Sequence, residues 1–102
     1  RFGAPGAAPR PALVLLDLNL PGTGGREVLT EVKSTERLRS IPIVVFTTSG
    51  AARDVDACYR AGANGYVQKP AGVDELVTAL GRLEDFWFGV ARLPTPEREG
   101  LR

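Results

Sequence analysis

The sequence contains no histidine, which excludes imidazole metal sites and a Ser–His–Asp triad. It has a single cysteine, Cys58, so no internal disulfide can form. A lone thiol fits a reducing compartment, and Cys58 reads as a core residue. No apolar run approaches the roughly 18 residues needed to cross a bilayer, and no signal-peptide pattern opens the chain. An excess of charge of one sign is also lacking: 13 Lys and Arg stand against 12 Asp and Glu, for a net charge of +1. The arginines are scattered, so there is no electrostatic case for nucleic acid or a membrane surface. The expectation is a soluble cytoplasmic domain with neither as a partner. Methionine is absent too, and the chain opens on Arg1. The Gly/Ala/Pro-rich residues 1–11 read as a linker, trimmed at its N-terminus.

What is present fits one small globular domain: 102 residues, 43% hydrophobic and 25% charged. Ala12 to Leu16 is too short and too apolar for a helix and reads as a strand buried on both faces, ending at Asp17. Asn19 to Gly25 is a loop by composition. Its Gly22, Gly24 and Gly25 lack the Lys–Ser/Thr end of a P-loop. Residues 25–38 show helical spacing, with Val28, Leu29 and Val32 on one face. Ser40-Ile41-Pro42 breaks that pattern. Ile43 to Thr47 is a second buried strand, rich in β-branched residues. Residues 51–61 form a helix with Val55, Cys58 and Tyr59 inward and Gly62 as the stop. Gly65 to Gln68 is a third strand. Residues 73–91 make a long amphipathic helix carrying Val73, Leu76, Val77, Leu80 and Leu83. Pro94 and Pro96 end it, and a charged tail covers 94–102.

Strands and helices alternating at this pace give an α/β fold with parallel strands and right-handed crossovers. Functional groups in such sheets lie beyond the carboxyl ends of the strands. That rule selects Asp17, Thr47 and Lys69. A carboxylate, a hydroxyl and an ammonium converging at one rim suit phosphoryl transfer. Asp17 can act as nucleophile, while Thr47 and Lys69 serve the phosphoryl oxygens. A hard divalent cation, Mg²⁺ by its chemistry, would screen the two negative groups from each other.

Three segments make the reading more specific. Leu15-Leu16-Asp17-Leu18-Asn19-Leu20-Pro21-Gly22 resembles the phosphoacceptor segment of response-regulator receiver domains. Phe46-Thr47-Thr48-Ser49 resembles their switch-threonine segment, and Ala63-Asn64-Gly65-Tyr66-Val67-Gln68-Lys69-Pro70 their lysine–proline segment. They occur in the family's order over about residues 12–91. The resemblance implies phosphorylation of Asp17 by a histidine kinase, and a Mg²⁺ bound by Asp17 and the Asn19 carbonyl. It further implies that Thr47 closes on the phosphoryl group, that Tyr66 turns inward with it, and that Lys69 contacts it. The Lys69–Pro70 bond is expected to be cis.

The implied fold is the flavodoxin-like, doubly wound parallel sheet, here lacking the first two strand–helix units. Residues 12–93 would be a partial receiver. The acidic pair that completes the family's Mg²⁺ site has no counterpart here, since Asp54 and Asp56 fall in the second helix. The strand at 12–16 would then be an edge that invites pairing.

Glu84-Asp85-Phe86-Trp87-Phe88 followed by Arg92-Leu93-Pro94 resembles the end of small stand-alone regulators that pair with bacterial phytochromes. In that subgroup the last helix and its extension help form a homodimer. Phe86, Trp87 and Phe88 cannot all face one core, which marks an interface. Two alternatives stand beside the signalling reading. A degenerate receiver would act only by binding or dimerisation. An aspartate-nucleophile phosphatase would want a second Asp two residues after the first. Asn19 stands there, so the chain is not expected to be an enzyme.

Overall fold

The computed structural model describes residues 11–19 and 24–94. The linker at residues 1–10, most of the Gly-rich loop (residues 20–23) and the tail beyond Pro94 lie outside the described residues. The described chain runs β1 (Val14–Leu16), α1 (Gly25–Ser34), β2 (Ile43–Thr47), α2 (Ala52–Arg60), β3 (Gly65–Gln68) and α3 (Val73–Glu84), followed by a π-helical segment, Asp85–Val90. The three strands are parallel in the order β1-β2-β3, with Leu16 opposite Val45 and Thr47 opposite Gln68.

The centre strand explains the core. Every residue of β2 is buried, because it has a neighbour on both sides. Leu16, Leu29, Ile43, Val45, Cys58 and Ala63 form one cluster beneath α1 and α2, and Val28, Val32 and Tyr66 pack against it. Burial pushes the Cys58 thiol pKa up, as expected of a core thiol. The α2 stop is a Schellman turn: Ala63 N–H donates to Cys58 O at 2.9 Å and Gly62 N–H to Tyr59 O at 3.1 Å. Gly62 sits there at φ 110°, a conformation other residues rarely adopt.

One clasp ties these elements below the sheet. Lys33 Nζ donates to Arg39 O, Ile41 O and Asn64 Oδ1 at 2.9, 2.8 and 3.0 Å. Asn64 Oδ1 also accepts from Ile43 N–H at 2.8 Å, at the start of β2. Partial burial lowers the Lys33 pKa.

Several expectations need correction. The first strand covers only residues 14–16 and is not buried on both faces: Leu15 is 44% exposed. β1 is an edge, paired to β2 alone, and no described element covers its Leu15 face. The first helix stops at Ser34 rather than at residue 38. Ser34 and Thr35 turn their hydroxyls onto the carbonyls of Thr30 and Glu31, and Thr35 is extended. Tyr59 is half exposed rather than inward, since only the Cys58 face of α2 meets the sheet.

The long helix expected over 73–91 is α-helical only to Glu84. It then widens into the π-helical segment, whose end is marked by Ala91 N–H donating to Phe86 O at 2.7 Å. The Lys69–Pro70 bond is trans, as is every described peptide bond. The trans form is the ordinary preference of an X–Pro bond, and Lys69 reaches the site from it.

Candidate functional site

Parallel strands bring their carboxyl ends to one rim, and the register puts three polar residues there. Asp17 follows the last residue of β1, Thr47 ends β2 and Lys69 follows β3. With strands about 4.8 Å apart, the outer two lie roughly 10 Å from each other. The Lys69 stem closes that gap. Its Nζ lies 5.7 Å from the Phe46 ring centroid and donates to Asp17 Oδ2 at 2.8 Å. The backbone holds Lys69 in place: its N–H donates to Thr47 O at 2.6 Å, a bond between β3 and β2 at the rim itself.

The other carboxylate oxygen is fixed locally. Asn19 N–H donates to Asp17 Oδ1 at 2.9 Å, an Asx-type turn that aims the carboxylate. The Asp17 pKa is accordingly lowered. The Lys69 hydrogen bond is the largest cause and the Asn19 N–H the next; partial burial opposes them, the Lys69 charge adds to them, and the Thr47 hydroxyl contributes least. Asp17 is therefore an ionised carboxylate at neutral pH.

Thr47 is the unusual member. It is fully buried, and its Oγ1 makes no well-formed hydrogen bond, only the weak interaction with the Asp17 carboxylate that contributes least to its lowered pKa. A buried polar atom normally has one, so an orphan calls for an explanation. Here it lies at the rim that carries Asp17 and Lys69. A phosphoryl oxygen arriving on Asp17 would supply the missing acceptor.

The structure thus brings Asp17, Asn19, Thr47 and Lys69 together, with Tyr66 one step away. Tyr66 is half-buried, and its hydroxyl donates to Ser49 O at 2.9 Å, which ties it to the loop after β2. Pro70 is half-buried at the turn after Lys69. Phe86, Trp87 and Phe88 lie on the π-helical segment. Phe86 and Phe88 are about half exposed, and the Phe86 and Trp87 rings meet edge to face at 5.3 Å. An open cleft of about 350 Å³ next to the Asp17 loop is lined by Asn19, Arg26, Ser49 and Asp54, among others.

A divalent cation finds an incomplete donor set among the described residues. Asp17 offers one carboxylate and Asn19 one carbonyl, and no group of three or more acidic or thiol side chains gathers among the described residues. An ion that prefers six oxygens is not caged by these two residues.

Sequence reasoning passed over Gln68, whose Nε2 donates to Thr48 O at 3.2 Å, and the bond from Ser49 Oγ to Asp54 Oδ2 at 2.6 Å. Both are side-chain bonds from the loop after β2 to a neighbouring element, β3 or α2, and periodicity carries no signal for them.

Comparison with known proteins agrees with this geometry. Residues 7–81 match the response regulator receiver domain. The chain is 45% identical over 87 residues to the response regulator Rcp1 of Synechocystis sp., covering 85% of this chain and 59% of that one. It is 42% identical over 86 residues to the probable methanogenesis regulatory protein FilR2 of Methanothrix harundinacea, covering 84% and 56%. The chain therefore spans a little over half the length of these relatives.

Among solved structures, the Mn²⁺-bound form of Rcp1 matches with a TM-score of 0.83 at 44% identity, covering 86% of this chain and 63% of that one. The phosphorylated cyanobacterial phytochrome response regulator RcpA matches with 0.84, also at 44% identity and with the same coverage. No helix among the described residues is long and apolar enough to cross a membrane. The fold is flavodoxin-like, and the chain belongs to the response regulator receiver family, close to the phytochrome-associated regulators.

Proposed function

We propose that this receiver accepts a phosphoryl group on Asp17 from a histidine kinase, of the bacteriophytochrome kind, in the cytoplasm. The observation that carries the reading is the pairing of an ionised Asp17 with Lys69, at the rim where a buried Thr47 hydroxyl makes no well-formed hydrogen bond. A carboxylate oxygen of Asp17 attacks the phosphorus of a phosphohistidine. The P–O bond forms as the P–N bond breaks, and the electron pair returns to the imidazole nitrogen. Lys69 then moves its charge from the carboxylate to the new phosphoryl oxygens, and Thr47 donates its hydroxyl to one of them. Tyr66 follows Thr47 through the loop that its hydroxyl holds, and Pro70 fixes the turn behind Lys69. Asp17 and the Asn19 carbonyl would be two of the ligands of Mg²⁺, with its remaining oxygens from water or from residues beyond those described.

The signal would leave by contact between proteins. Phe86 and Phe88 offer exposed aromatic surface for a homodimer, and the Trp87 ring meets that of Phe86 edge to face. Light scattering of the wild type against a Phe86→Ser, Phe88→Ser variant tests this. A dimer that persists in the variant places the interface elsewhere.

The phosphoryl reading is tested by treating the full-length protein with a small-molecule phosphodonor and Mg²⁺. A mass gain of one phosphoryl group, absent in Asp17→Ala, is expected. No gain would favour the second reading, a receiver that acts only by binding or dimerisation.

A further inference from the structure

The loop after β2 is held to β3 by three successive carbonyls. Thr47 O accepts from Lys69 N–H at 2.6 Å, Thr48 O from Gln68 Nε2 at 3.2 Å and Ser49 O from Tyr66 Oη at 2.9 Å. The first and last partners belong to the phosphoryl site already described. The middle one does not. Gln68 is the last residue of β3 and points away from the core, where a glutamine has no packing task.

Gly50 lies against the same amide. A Cβ at Gly50 would fall 2.5 Å from Gln68 Oε1 and 2.9 Å from its Nε2. The Gln68 amide therefore lies against the Gly50 backbone, and an alanine there would push this side-chain end aside. Past Gly50, Ala51 N–H donates to Ser49 Oγ at 3.3 Å, and Ser49 Oγ donates to Asp54 Oδ2. The far side of the loop is thus tied to the first turn of α2. Both sides of the loop are thus tied, and Thr48, whose carbonyl Gln68 holds, is bonded directly to Thr47 at the end of β2.

We propose that Gln68 is a positioning residue for phosphoryl transfer: its side-chain amide holds the Thr48 peptide, and through it the Thr47 hydroxyl, in register with Asp17. This rests on Asp17 being the phosphoacceptor. Removing the amide donor loosens the loop without touching Asp17 or Lys69. Transfer then requires the loop to be ordered at the moment of reaction. A solvent-exposed hydrogen bond corresponds to a modest effect, roughly a 3-fold slower phosphorylation.

Gln68→Glu tests it, because it keeps the size of the side chain and turns the donor into a second acceptor facing the Thr48 carbonyl. Gly50→Ala tests it from the other side by pushing the amide off the loop. The full-length protein and both variants are treated with a small-molecule phosphodonor and Mg²⁺, and phosphorylation is followed by mass. Hydrogen exchange of the amides of residues 48–50 is measured on the untreated proteins.

Both variants should phosphorylate about 3-fold more slowly and exchange faster in the loop. The double variant should be no slower than either alone, since both break one contact. The Asp17 carboxyl titration should not move. A wild type that takes up phosphoryl while both variants match it in rate and exchange overturns the role of Gln68 and leaves Asp17 standing as acceptor. A wild type that takes up none overturns both, since no transfer is left to position.

Discussion

Lys69 Nζ sits 2.8 Å from Asp17 Oδ2, and the two residues directly follow the two outer strands, β3 and β1, of the described sheet. The bond therefore spans β2 at the rim and joins the two edges. Lys69→Met should free the carboxylate of its main partner. The Asp17 pKa then rises toward the ordinary value of about 3.9, read by carbon NMR of the side-chain carboxyl. Stability should fall by less than about 1 kcal/mol, because both side chains keep about a third of their surface in water. An Asp17 titration that stays where it is in the wild type would mean that Asn19 alone holds the carboxylate.

The same pair sets a pH dependence. The Asp17 pKa is lowered in the folded chain, first by Lys69 and then by Asn19. The folded state therefore binds that proton less readily than the unfolded chain does. Its contribution to stability is complete above the ordinary carboxylate pKa. It fades as pH falls through the depressed value. Urea midpoints for wild type and Asp17→Asn should differ most near neutral pH and converge in strong acid. A constant difference across the range would show that Asp17 gains nothing from its partners on folding.

Thr47 makes the opposite kind of statement about stability. Its buried hydroxyl makes only a weak interaction with the Asp17 carboxylate, so its desolvation is poorly compensated in this state. Thr47→Val keeps the shape and removes the orphan oxygen. The variant should be more stable by about 1 kcal/mol, and its melting midpoint should rise by a few degrees. Phosphoryl chemistry should suffer in the same variant, since the hydroxyl that would meet the new oxygen is gone. Stability and activity moving in opposite directions is the expected signature of a group kept for function. A lower midpoint would show that the hydroxyl already has a partner, such as an ordered water.

Much of this was legible in the residues alone. The runs at Ile43–Thr47 and Gly65–Gln68 are strands with the bounds read from composition, because β-branched residues between strong breakers leave little freedom. Asp17, Thr47 and Lys69 could be grouped because a parallel sheet forces strand ends to one rim. The errors came where the outcome depends on neighbours. Leu15 read as buried because it is apolar, yet an edge strand needs an element above it. The helix over 73–91 read as continuous because its apolar spacing persists. Consecutive Phe86, Trp87 and Phe88 then widen the last turns, which a fixed period cannot represent. The cis bond before Pro70 was carried by family resemblance, and no residue nearby dictates it. Gln68 and Asn64 were missed because their partners lie far away in sequence: the Thr48 carbonyl for one, the Lys33 amine and the Ile43 N–H for the other.

Gly25 offers the sharpest local test of how the site is built. In the sequence it closes a Gly-rich loop and could stand there for flexibility alone. In the structure it is buried at the first position of α1, and its N–H donates to Leu18 O at 3.3 Å. A Cβ there would lie 2.5 Å from Asp17 O and 2.6 Å from Leu18 Cα. Both are backbone atoms and cannot rotate aside, so either α1 or the Asp17 turn must shift. Gly25→Ala should cost about 2 kcal/mol, in the range of other overpacked sites. It should also move the NMR signal of the Asn19 amide, which sits on the same turn. Gly24→Ala is the control, because its Cβ would meet only the Glu27 side chain, at 3.9 Å or more. That change should cost less than about 1 kcal/mol, the usual penalty for alanine at a helix start. Equal losses in the two variants, with the Asn19 signal unmoved, would mean that Gly25 serves the chain's flexibility rather than the close approach of α1 to Asp17.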